Sequence, residues 1–75
     1  MITVRLFGLV RLETGIKELQ VEAANGKELR NALTQTLPEE TVRGCRLLAN
    51  GRPVTRTTKL KDGNQVMLMP PVAGG

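Results

Sequence analysis

A single helical stripe set between stretches of alternating apolar residues limits what this chain can fold into. Leu29, Ala32, Leu33, Thr36 and Leu37 recur at i, i+3, i+4, i+7 and i+8, the spacing of one face of an α-helix. Asn25 stands at the N-cap position, and Glu28 three residues on completes a capping box. Pro38 closes the segment, because the residue before a proline is pushed out of the α region. The spacing therefore predicts one helix over 26–37. A lone helix of this length is marginal in water, so its apolar face needs a sheet to cover.

The flanking sequence supplies that sheet. Residues 1–7, MITVRLF, alternate Ile2, Val4 and Leu6 on one face with Thr3, Arg5 and Phe7 on the other. Gly8 and Gly15 bracket LVRLET, read as a turn, and 16–23 alternates again through Leu19, Val21 and Ala23. Together these predict an opening hairpin. Residues 39–44 read as a connector, and 45–49, CRLLA, as a short strand ending in the tight-turn dipeptide Asn50-Gly51. Residues 53–61 lack periodicity and read as loop with at most a short edge strand. After the turn residues Asp62-Gly63-Asn64 comes a last strand, 65–69, with Val66 and Leu68 facing opposite to Met67 and Met69. Pro70-Pro71 ends sheet pairing, since neither can donate a ladder hydrogen bond. The expected architecture is α+β, one main helix across a mixed sheet of four to five strands, with the order and size of a β-grasp. The domain is expected over 1–71, and 72–75 as a flexible tail.

The inventory of side chains excludes much of enzymology. The 75 residues contain no histidine and one cysteine, so histidine-dependent nucleophilic triads, an internal disulfide and a cysteine-rich zinc site are ruled out. No bound metal or cofactor is expected. No apolar run reaches the roughly 18 residues of a membrane span, and no secretory signal opens the sequence, so a cytoplasmic protein is expected. Eleven Lys and Arg against seven acids give a formal charge of +4. The basic residues are scattered along the sequence and Phe7 is the sole aromatic, which leaves no stacking platform for bases. Nucleic acid is therefore not the expected partner.

The segment 60–75, LKDGNQVMLMPPVAGG, resembles the C-terminal signature of the ubiquitin-like sulfur carriers, the family of the molybdopterin synthase small subunit (MoaD) and the thiamine-pathway carrier (ThiS). The resemblance extends to the first strand with Phe7, the Val10-Arg11 pair, the helix position and Asn50-Gly51. One departure is Asn64, where the family usually has an acidic residue; Asn suits the turn equally well. The resemblance implies that the Gly75 carboxylate is adenylated by an activating enzyme of the MoeB/ThiF, ubiquitin-activating type. That partner uses ATP and Mg, a sulfur donor protein then yields a thiocarboxylate, and the sulfur passes to a pathway intermediate. It further implies docking to a catalytic large subunit, molybdopterin synthase or thiazole synthase, so the chain is not an enzyme by itself. The molybdopterin branch is favoured by the Pro-Pro before the last four residues. The thiamine branch, and a ubiquitin-like modifier joined to lysines through Gly75, remain open. Physical chemistry gives the tail its own rationale. Gly74 and Gly75 make the thinnest chain that can enter a partner's site, and Pro70 and Pro71 would hold its base extended.

Phe7 has the parity of the sheet face turned away from the helix, a face it would share with Leu48, Met67 and Met69, with Pro53 nearby. An apolar patch there marks a partner surface. The competing reading is a second minor core under the 53–61 loop. Cys45 is expected as a buried apolar residue on a central strand. Arg11, Arg46, Arg52 and Arg56 are available for an acidic activating enzyme, or simply for solvent.

Overall fold

The alternating opening segment forms β1 (Ile2–Leu6), and the last alternating segment forms β5 (Gln65–Met69). In this computed structural model, which describes residues 1–70, the two lie side by side and parallel at the centre of a five-stranded sheet. The sheet order is β2-β1-β5-β3-β4, with β2 (Glu18–Val21), β3 (Arg46–Ala49) and β4 (Arg52–Pro53) pairing antiparallel to their neighbours. Among the described residues no helix is long and apolar enough to cross a membrane.

The central pair determines the core. Val4, Val66 and Leu68 have no exposed surface, and Ile2, Leu6 and Leu47 have 1–2%. All pack with Leu29 and Leu33 of α2 (Gly26–Leu33), both fully buried. Burying each such side chain is worth about 1.5–3 kcal/mol, so this layer dominates the stability of the fold. The expected cap forms at Asn25, but Glu28 reaches one residue past it, to Ala24. Asn25 Oδ1 accepts from the Glu28 N–H at 2.9 Å, and Glu28 Oε1 accepts from the Ala24 N–H at 3.0 Å.

Five sequence expectations are corrected. The segment between Gly8 and Gly15 is not a turn but a seven-residue helix, α1 (Gly8–Thr14), ended by Gly15 in the left-handed region at φ 72°. The strand expected over 16–23 is correspondingly shorter. The main helix stops at Leu33 rather than Leu37; beyond it the N–H groups of Gln35 and Thr36 donate to Ala32 O and Leu33 O, three residues back. Leu37 N–H then donates to Leu33 O, four residues back at 2.8 Å, and this irregular last turn carries Leu37 into the core at 2% exposure. The connector 39–44 is a helix, α3 (Glu39–Gly44), with Glu39 and Glu40 at its positive end and Arg43 in its last turn. Cys45 caps this helix and precedes β3, which is next to the sheet edge, so it does not lie on a central strand; it is buried all the same.

Candidate functional site

The face of the sheet opposite α2 is built by register. Reading across the strands, Glu18, Arg5, Met67, Leu48 and Pro53 are successive pairing partners from one edge to the other. Side chains in one such row share a face. Met67, Leu48 and Pro53 therefore form an apolar strip, with Arg5 beside Met67 and ion-paired to Glu18 at 3.9 Å. Both members of that pair are exposed, so its contribution is small. Met69 lies two residues along β5 from Met67, on the same face, opposite Arg46.

Phe7 joins this surface because β1 runs one residue past its assigned end. Its backbone is extended (φ −131°, ψ 161°) and its N–H donates to Leu68 O at 3.1 Å, so the strand parity carries through. All five residues read from the sequence as a patch thus lie on one face: Met67 and Pro53 exposed, Phe7, Leu48 and Met69 half-buried. The alternative of a minor core beneath 53–61 finds no support in the path of that loop. Val54 and Leu60 drop into the main core, and the carbonyls of Arg56 and Thr58 accept from Lys27 N–H and Gly26 N–H at 3.0 Å. The loop packs on the start of α2, leaving the outer face open.

At the end of β5, half-buried Pro70 meets the start of α1. Gly8 has φ 63°, and a Cβ built there would sit 2.8 Å from Pro70 Cγ, so only glycine fits this approach. An open groove of about 240 Å³ beside Pro70 is lined by Leu9, Val10, Glu40 and Cys45 among others. Leu9 and Leu12 stand 63% and 78% exposed on α1. Sequence reasoning passed over these two leucines, because the segment between Gly8 and Gly15 reads as a turn. Phe7 and Met69 of the outer face thus adjoin Gly8 and Pro70 at the base of the C-terminal segment. Pro71, Gly74 and Gly75 lie outside the described residues.

Cys45 has no geometry for a transfer thiol. Burial pushes its thiol pKa up, opposed by the nearby charge of Arg30, so it stays protonated at neutral pH. Among the described residues no cluster of three or more metal-ligating side chains occurs.

Comparison with known proteins gives this geometry a context. The model of the ThiS family matches residues 4–75. The fold resembles a chain of the complex of subunits 1 and 2 of molybdopterin-converting factor from Helicobacter pylori, at 32% identity and TM-score 0.76, covering 99% of this chain and 97% of that one. Small archaeal modifier protein 1 from Haloferax volcanii shares the fold at 22% identity and TM-score 0.79, covering 99% and 98%. So does a chain of the BexX/CysO complex from Amycolatopsis orientalis, at 21% identity and TM-score 0.78, with both chains fully covered. No curated protein matches the sequence.

Proposed function

The chain belongs to the ThiS family, and on that ground we propose that it is a sulfur carrier charged at Gly75, serving molybdopterin synthesis. A protein of this kind is a partner of enzymes and not itself an enzyme. In the proposed cycle the Gly75 carboxylate attacks the α-phosphorus of ATP, held with Mg in an activating enzyme, and pyrophosphate leaves. A persulfide on a donor protein displaces AMP from the acyl carbon to form an acyl disulfide, and a second thiol then takes the donor sulfur into a disulfide and releases the thiocarboxylate. The thiocarboxylate then delivers sulfur to the intermediate held by the large subunit, and water restores the carboxylate. We place this work in the cytoplasm.

The observation that carries the reading is that the apolar outer face adjoins the base of the C-terminal segment. Phe7, Met69 and Pro70 lie together at one end of the sheet, so a partner seated on Met67 and Leu48 is placed to receive the chain leaving Pro70. Glycine at 74 and 75 then suits entry into a narrow site. The molybdopterin branch draws further support from the 32% identity to a chain of the converting-factor complex. Intact-mass analysis of the protein from its native host tests the reading. An oxygen-to-sulfur mass increase confined to Gly75 is expected. Isopeptide conjugates to other proteins, with no such increase, would overturn it in favour of a modifier.

A further inference from the structure

The fold brings Arg43, Arg56, Lys59 and Lys61 together with Lys27 and Arg30 on one side of the molecule. Six of the eleven cations fall within residues 41–61, a stretch with no acid, leaving five cations against all seven acids elsewhere. The loop after β4 carries Arg56, Lys59 and Lys61 back across the start of α2. There they meet Lys27 around one open groove of about 840 Å³. Arg56 also lines a neighbouring open groove of about 400 Å³ with Arg30 and Arg43, so the two grooves form one continuous basic band.

The acids bordering this band are already engaged. Glu39 pairs with Arg43 at 2.8 Å, and Glu28 accepts the Ala24 N–H at 3.0 Å. Lys27, Arg56, Lys59 and Lys61 are exposed and have no ion-pair partner among the described residues. Arg30 is held in place by its Nη1, which donates to Val42 O at 3.1 Å. Backbone bonds fix the positions of the loop cations too, since Lys27 N–H donates to Arg56 O and Leu60 N–H to Ala24 O. The charge is therefore concentrated and mounted on ordered backbone. Such a surface raises the local concentration of an oppositely charged partner and speeds encounter.

We propose that this band is a second docking face, turned away from the apolar outer face, that receives an acidic protein segment. Charge complementarity requires an anionic occupant. Phe7, the sole aromatic, lies on the opposite face, so the band offers no platform for stacking bases. Guanidinium forks at Arg30 and Arg56 match carboxylates two bonds at a time. With the band on the helix side, a carrier can hold one protein there while its outer face meets another. The surface rests on described residues alone and does not depend on the chemistry assigned to Gly75.

A titration of the ¹⁵N-labelled full chain with a peptide of about ten glutamates, at about 20 mM and about 300 mM salt, tests this. Shifts are expected to centre on Lys27, Arg30, Arg56 and Lys59 and to fade at the higher salt. Arg56→Glu/Lys59→Glu should weaken peptide binding about tenfold, whereas Arg11→Glu/Lys17→Glu, with the same change in net charge, should alter it less than about twofold. Deleting Gly75 should change nothing in this assay, so its outcome is separable from that of the carrier reading. Equal losses in the two double variants, or shifts spread evenly over Arg5, Arg11 and Lys17, would overturn the proposal. A single-stranded oligonucleotide of equal charge that binds the same band tenfold more tightly than the peptide would overturn it in favour of nucleic acid.

Discussion

Gly26 shows how little room one residue can have. It is buried at the start of α2, its N–H donates to Thr58 O, and a Cβ there would fall inside the van der Waals shell of Thr55 O. The neighbour is backbone, which cannot swing aside. Gly26→Ala should therefore destabilise the fold by about 1–3 kcal/mol, as overpacking does, whereas Ala normally stabilises a helix over Gly. Urea denaturation checks this, and a gain in stability would show that the loop over α2 yields freely. Nothing in the sequence marks this glycine, since the contact depends on the 54–58 loop returning from a distance. The capping residues Asn25 and Glu28 are legible because their partners lie within four positions. The same contrast holds at the site. The parity of Phe7, Met67 and Met69 is local and could be read, whereas exposed Leu9 and Leu12 become meaningful only where Pro70 is brought against Gly8.

Elements were legible in proportion to the number of side chains they bury in a regular pattern. β1 buries Ile2, Val4 and Leu6, β5 buries Val66 and Leu68, and α2 buries Leu29 and Leu33 at helical spacing. By contrast, α1 buries only Val10 and α3 only Val42, and a single buried side chain defines no period. The glycines at both ends of α1 then mimic a turn. The cue missed at α3 was electrostatic: Pro38 ahead of Glu39-Glu40, with Arg43 one turn on and bonded to Glu39 at 2.8 Å. The end of α2 was overread because Leu37 is buried, as the stripe requires, but reaches the core through an irregular last turn. The buried face of α2 is the decisive element. Leu33→Ala should cost about 2–5 kcal/mol by thermal or urea unfolding, and a cost under about 0.5 kcal/mol would mean that this face does not carry the core.

At the scale of the whole molecule, one side of the sheet holds the core and the other is left open among the described residues. The inner face holds the core against α2, while the outer face presents Met67, Leu48, Pro53, Met69 and Phe7 without cover among the described residues. Met67→Glu should thus change the stability by no more than a surface substitution does, about 0.5 kcal/mol, yet weaken docking to a partner enzyme in a pull-down or calorimetric titration. Unfolding of this variant with docking undiminished in its folded fraction would show the face to be structural. The central claim concerns Gly75. The described core closes between Ile2 and Leu68, so removing one residue at position 75 should leave thermal unfolding unchanged. One residue of extended chain spans roughly 3.3–3.6 Å, while reacting atoms must approach to about 3–3.5 Å, so the shortened carboxylate cannot reach the same point with the body docked. The direct measurement is intact mass after incubation with the cognate activating enzyme, ATP and sulfur donor, for the full chain and for the chain lacking Gly75. The account predicts an oxygen-to-sulfur mass increase on the full chain and none on the shortened one, at equal melting temperature. An equal increase on the chain lacking Gly75 would contradict it.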